Sequence, residues 1–358
     1  MKIYELKMEF LTPAFLGNAE QKGQWRTPPI KALLRQWWRI AYAAEKQFAV
    51  RVDEMRTEEG LLFGHAWLEN DRDEHGNKVA ARKSEVRIRL DCWDEGKLKQ
   101  EDWHSLDKVK HPEVLHHVAS DLYMGYGPIT LPRGANHPTL KSNAAIQSGE
   151  SAIISIAVPE AHAQIMAHAL WLMDRFGTLG GRSRNGWGSF SLEPHDEASN
   201  KALSCHSVPT RLWRDSLGLD WPHAIGQDEN GALIWITDEF SDWKLLMKRL
   251  AEIKIGLRTQ FKFTSGKNAP LPVDRHWIAY PVTNHSVADW GENKRLPNSL
   301  RFKVRKTQGG KLLGVVFHVP CLPPQEFKPD RQAIANMWST VHRFLDQKLK
   351  RLNGRAEV

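Results

Sequence analysis

The chain has 358 residues, 41% of them apolar, which is length for about two domains and enough apolar content for real cores. Fifty Lys plus Arg against 42 Asp plus Glu leave a formal charge of +8, permitting a polyanionic partner without requiring one. The widely spaced Cys92, Cys205 and Cys321 suggest neither a disulfide framework nor a thiolate zinc site, and no apolar run reaches transmembrane length, so a soluble cytoplasmic chain is expected.

Ile3, Leu6, Met8 and Phe10, with charged residues between them, predict a first strand ending at Thr12-Pro13. Thr27 is expected to cap a helix with Pro28 and Pro29 in its first turn, running through ALLRQWWRIAYAAEK. At helical spacing Ile30, Leu33, Leu34, Trp37, Ile40, Ala41 and Ala44 form a core arc. Lys31, Arg35, Trp38, Arg39 and Tyr42 form a second arc, basic and aromatic. From Gln21 to Ala44 there are five cations (Lys22, Arg26, Lys31, Arg35, Arg39) and no acid, whereas residues 53 to 75 are acid-rich.

Next come a helical and loop stretch over Asp53 to Leu68, the insert ENDRDEHGN as an exposed turn, and SEVRIRLDCW as a strand. DLYMGYGPITLP reads as a short strand entering a Gly/Pro loop, and SAIISIAVP as a strand. Ile165, Ala169, Leu172 and Phe176 recur at helical spacing, with Gly177 placed for a positive-φ helix end. The segment GGRSRNGWGSF, Gly180 to Phe190, then leads into a final strand. This order, strand, helix, strands, helix, strand, is that of a split βαβ, ferredoxin-like unit.

The second half repeats the scheme, with a boundary between 195 and 210. GALIWITDEF, DRHWIAYPV, SLRFKVRK and KLLGVVFHV predict strands, DWKLLMKRLAEI an amphipathic helix, and Arg331 to Leu352 a closing helix. The expected architecture is α+β: two tandem ferredoxin-like (RRM-like) domains, 1–200 with the glycine-rich loop and 201–358.

The loop is not a Walker A site, because Trp187 and Gly188 stand where Lys and Ser/Thr are needed. Nor is it a dinucleotide fingerprint, since it precedes a strand instead of opening a helix. It offers a backbone suited to anions with Arg182, Arg184 and Asn185, and an indole, Trp187, that either stacks on a base or pins the loop to its own core. A simple packing turn is the plainer reading. Cations at i, i+4 and i+8 on the first helix suit successive phosphates, with Trp38 or Tyr42 stacking on a base; the alternative is a solvated face with Trp38 buried against a neighbouring element. Arg295, Arg301, Lys303 and Arg305 alternate as on the exposed face of a hairpin, where simple solvation is favoured. His104, His111, His116 and His117 lack metal-ligand spacing, so no metal, cofactor or catalytic residue is assigned.

The set FLTPAFLGNAEQKGQWRTPPIKALLRQWWR, LFGHAW, YMGYGP, LGGRSRNGWGSF, RHWIAYPV and RLPNSLRFKV resembles RAMP-superfamily proteins, specifically those forming the first subunit of the Cmr complex in type III-B CRISPR effectors. The resemblance implies tandem RAMP domains in a non-catalytic, RNA-binding subunit near the crRNA 3′ end. Such a subunit helps capture complementary target RNA in antiviral defence while other subunits cut. Its implied partners are crRNA, target RNA and other RAMP subunits. The resemblance places Lys31, Arg35, Trp38 and Arg39, and likewise Arg182, Arg184 and Trp187, at the RNA or at a neighbouring subunit; Arg26, Asn185, Arg295, Arg301 and Lys303 complete the candidate RNA-binding set. Two other readings stay open: a metal-independent endoribonuclease of the same superfamily, and basic patches that dock protein alone. The insert near 71–76 and the region 195–230 depart from the family pattern.

Overall fold

Strand β1 (Lys2–Phe10) turns Tyr4, Leu6, Met8 and Phe10 to the core, leaving Ile3 52% exposed, so the inward register includes Tyr4 and excludes Ile3. The computed structural model describes all residues except 67, 142–144, 205, 264–266, 292 and 353–358. Cys205 and the last residue of LFGHAW, Trp67, therefore lie outside the described residues. Two compact units emerge: Met1–Leu98, Ala144–Gly180 and Gly188–Pro209 form one, and Lys99–Asn143, Gly181–Trp187 and Thr210–Val358 the other. The grouping differs from one cut after residue 200, because residues 99–143 and the middle of the glycine-rich loop gather with the C-terminal half.

In the first unit β1 is followed by α1 (Thr27–Glu45), α2 (Val52–Phe63), β2 (Arg87–Leu90), β3 (Ser151–Val158), α3 (Ala163–Phe176) and β4 (Phe190–Pro194). The strands pair in the order β2-β3-β1-β4, every pair antiparallel, which is the ferredoxin-like arrangement. Strict alternation in β3 buries Ala152, Ile154, Ile156 and Val158 opposite the inward side of β1. Ile154, Ile156 and Val158 each contribute about 1.5–3 kcal/mol when fully buried. Helix α1 starts one residue earlier than a Thr27 cap would give: Arg26 is the N-cap and makes no side-chain cap bond. Gly177 has φ −76°, not positive, and the left-handed turn falls at Gly180 instead. The insert is not wholly exposed, because buried Asp71 accepts from Arg82 Nη2 at 2.9 Å and meets His65 Nε2 at 2.8 Å.

The second unit contains β5 (Ile234–Phe240), α4 (Trp243–Arg258), β6 (Leu300–Lys306), β7 (Leu312–His318), α5 (Arg331–Lys348) and β8 (Lys350–Arg351). Its sheet order, β6-β7-β5-β8, is again antiparallel and topologically the same as the first. The tandem ferredoxin-like reading is thus met in both units. Asp242 and Asp330 cap α4 and α5, accepting from the backbone N–H groups of Lys244 and Ala333. The closing helix stops at Lys348, because Lys350 and Arg351 pair with β5 and Arg351 binds Asp346 at 2.9 Å. Two expected strands are helical: Ser120–Gly125, which covers the start of DLYMGYGPITLP, and Asp274–Ile278 within DRHWIAYPV. No helix among the described residues is long and apolar enough to cross a membrane.

Candidate nucleic-acid interface

The basic face of α1 meets α2. Arg39 grips Glu59 with two bonds, Nε to Oε1 at 2.9 Å and Nη2 to Oε2 at 2.8 Å, and Arg35 Nε joins Oε1 at 3.1 Å. Tyr42 Oη donates to Glu58 at 2.8 Å. Trp38 is only 1% exposed, tilted on Tyr42 at 5.0 Å and edge-on to Phe63 at 5.9 Å. This corrects the expectation of a stacking face, since Trp38 and Tyr42 have no surface left for a base. The acid-rich segment is the counterpart of the basic one. What remains is Lys31, half-buried and lowered in pKa by burial and then by Arg35. Arg26, the N-cap residue of the same helix, has a buried Nε with no partner among the described residues.

The glycine-rich loop answers a similar question. Gly180, Gly186 and Gly188 take φ of +91°, +91° and +64°, and Arg182 joins them at +56°. A Cβ on Gly188 would lie 1.8 Å from the Leu179 carbonyl oxygen, so glycine is required there for close approach as well as for φ. The amides of Asn185 and Gly186 donate to Arg182 and Ser183, and that of Gly188 to Pro13. Three amides that an anion cradle would use are therefore spent on holding the turn. Trp187 is 0% exposed, at 5.9 Å from both Trp103 and Trp243. It pins the loop to its own core.

The side chains of Arg182 and Arg184, by contrast, are exposed. Asn185 organises the second unit around them: its Nδ2 donates to the Met124 carbonyl at 2.7 Å, and its Oδ1 accepts from Lys254 Nζ at 3.0 Å. Lys254 and Arg258 stand one turn apart on α4, and the ammonium of Lys254 lies 5.3 Å from the Tyr123 ring centroid. Burial, then the charges of Arg258 and Arg182, hold Lys254 well below the usual lysine range. The helix expected over DWKLLMKRLAEI ends at Ile253, whereas α4 continues to Arg258 and so carries both cations. The i, i+4 spacing of Lys254 and Arg258 was the available signal.

The hairpin cations divide. Arg295 is exposed and donates to the Lys294 carbonyl at 2.9 Å, while Arg301 is half-buried, pushed down to about 10 by burial and by Arg184. Lys303 is 0% exposed, which corrects its placement on an open face. Its cross-strand partner Val315 is buried as well, so the sheet is covered at that point. Among the described residues no group of three or more His, Cys, Asp or Glu is arranged to hold a metal. Arg26, Lys31, Arg35, Trp38 and Arg39 lie in the first unit, and Arg182 to Trp187 with Arg295, Arg301 and Lys303 in the second.

The sequence matches the RAMP superfamily over residues 7–191, and the chain belongs to that superfamily. No curated protein matches it significantly. Among solved structures it is similar to apo Cmr1 from Pyrococcus furiosus, with TM-score 0.49 and 17% identity over 98% of this chain and 97% of that one. It is also similar to a chain of the type III-B Cmr-beta complex bound to cognate target RNA and AMPPnP in the presence of ssDNA, with TM-score 0.47 and 11% identity over 95% and 99%. A second Cmr-beta structure, bound to cognate target RNA, gives TM-score 0.44 and 10% identity over 96% and 99%.

Proposed function

We propose that this RAMP protein is a non-catalytic, RNA-holding subunit of a type III-B CRISPR ribonucleoprotein, contacting the crRNA 3′ region and helping to capture target RNA. Its other partners are further RAMP subunits of the same assembly. The observation that carries the reading is the motif set TPAFLG, RTPPIKALLRQWWR and GGRSRNGWGSF on a chain of the RAMP superfamily. The exposed Arg182 and Arg184, and the half-buried Lys31, supply charge for a phosphate backbone. Guide pairing reads sequence in such assemblies, so this chain grips backbone and shape without base preference.

The test is fluorescence anisotropy of the full chain with single-stranded RNAs of unrelated sequence across a salt series. Equal affinities are expected, with a log–log salt slope reduced by about 0.7 for each phosphate contact removed. The double change Lys31→Ala, Arg184→Ala is expected to lower both affinity and slope. Unchanged binding overturns the assigned surface. The alternative, a metal-independent endoribonuclease, draws on the His111 and Tyr123 rings 5.8 Å apart, with Lys254 over the latter. Incubation with repeat RNA in chelator separates the two: intact RNA is expected, and a discrete cut lost in His111→Ala favours the nuclease.

A further inference from the structure

In the second unit the charges around Tyr123 do not balance. Arg182, Lys254, Arg258 and Arg275 lie within electrostatic reach of one another in sequence, Arg182 to Lys254, Lys254 to Arg258, Arg258 to Arg275. The one carboxylate among their interacting neighbours is Glu113, and both its oxygens are taken by Arg275 Nη1, at 2.6 and 2.8 Å. Among the described residues neither Lys254 nor Arg258 has a carboxylate within ion-pair distance, and Lys254 bonds only the neutral Asn185. Holding half-buried Lys254 and Arg258 beside buried Arg275, with the single carboxylate Glu113 already paired, costs free energy unless an anion joins them.

The unused hydrogen-bonding atoms can all donate. Tyr123 Oη is buried with no partner among the described residues, and so is Arg275 Nε. Arg258 makes no side-chain hydrogen bond to any described residue. Buried donors left without acceptors are uncommon in folded proteins. A hydroxyl, a guanidinium edge, a full guanidinium fork and an ammonium together call for a ligand that only accepts, carries negative charge and presents more than two oxygens. A tetrahedral phosphate meets all three requirements, a backbone diester doing so with two charged oxygens and two weaker ester oxygens, whereas a carboxylate presents only two oxygens in one plane.

We propose that Tyr123, Lys254, Arg258 and Arg275 form a phosphate-binding site in the second unit, with Asn185 of the glycine-rich loop positioning Lys254. In the RNA-holding reading, on which this assignment builds, the phosphate is one of the RNA backbone, and the loop acts by aiming α4 side chains instead of offering its own amides.

The experiment is thermal unfolding of the full chain with inorganic phosphate against sodium chloride of matched ionic strength, repeated with Arg258→Gln and Arg258→Lys. A phosphate-specific rise in Tm is expected for the natural chain and for neither variant, since Lys keeps the charge but loses the fork. A rise no larger than that with chloride overturns the site, and needs no variant to interpret. So does an undiminished phosphate effect in Arg258→Gln. A second arm adds single-stranded RNA. Competition with phosphate, and a salt slope lower by about 0.7 in Arg258→Gln, support a backbone phosphate. Specific phosphate binding that RNA does not displace upholds the site as one for a free phosphate compound and overturns the RNA reading.

Discussion

Arg39 and Glu59 form a two-pronged ion pair in which the carboxylate is 1% exposed while the guanidinium reaches the surface. The carboxylate depends on Arg39 and Arg35 for compensation, so removing a partner leaves charge buried. Arg39→Ala is expected to destabilise the first unit by about 3 kcal/mol. Urea unfolding checks this, and loss of RNA binding in that variant should track loss of fold. Lys31→Ala, which breaks no ion pair among the described residues, should leave the urea midpoint unchanged.

Trp187 sits among Trp103 and Trp243 with no exposed surface. Trp187→Ala should cost about 3–5 kcal/mol, the range for emptying a large aromatic site. Trp187→Phe should recover a good part of it. A base-stacking role predicts the reverse pattern, weak RNA binding in a fully stable protein, and denaturation alongside anisotropy distinguishes the two.

Gly188 and Gly134 both have positive φ, +64° and +82°, but a Cβ clashes only at Gly188, because nothing lies within 4 Å of the Gly134 position. Gly134→Ala should therefore show φ strain alone, about 1 kcal/mol. Gly188→Ala adds collision with backbone and should yield little folded protein. Circular dichroism of the two variants, expressed side by side, measures the difference.

The buried imidazoles of His318 and His342 share a hydrogen bond at 2.9 Å, and Ser299 Oγ meets the far nitrogen of His318 at 3.0 Å. Burial drives His342 down to about 3 and His318 well below the usual histidine range. Both bind protons less readily folded than unfolded. Stability should hold above about pH 6.5 and fall as pH drops toward 3, by about 1.4 kcal/mol per pH unit for each histidine. Urea midpoints at pH 7, 6 and 5 test the slope, and His342→Gln should flatten it.

The tandem ferredoxin-like order was legible because long alternating runs such as SAIISIAV and helical periodicity in DWKLLMKRLAEI report burial directly. Short segments were less so: Ser120–Gly125 is six residues long, too short for a period to show. The site was legible in part. Arg182 and Arg184 are exposed as expected, yet the aromatic residues beside the cations turned inward, because sequence alone does not tell which element covers a helix face. Glu59, some twenty positions from Arg39, decides that for α1. The cations of α4 escaped notice because their significance lies in a missing counter-charge, a property of three-dimensional neighbours.

Strand β6 stands at one margin of its sheet, a place where unpaired backbone groups invite a foreign strand. The glycine-rich loop already occupies that margin, with Phe302 N–H donating to the Arg184 carbonyl at 3.0 Å and Asn185 bridging alongside. A turn too irregular to be a strand thus works as a guard against strand addition. At Phe302, then, a partner of this chain meets side chains and the loop, not a free backbone edge of β6.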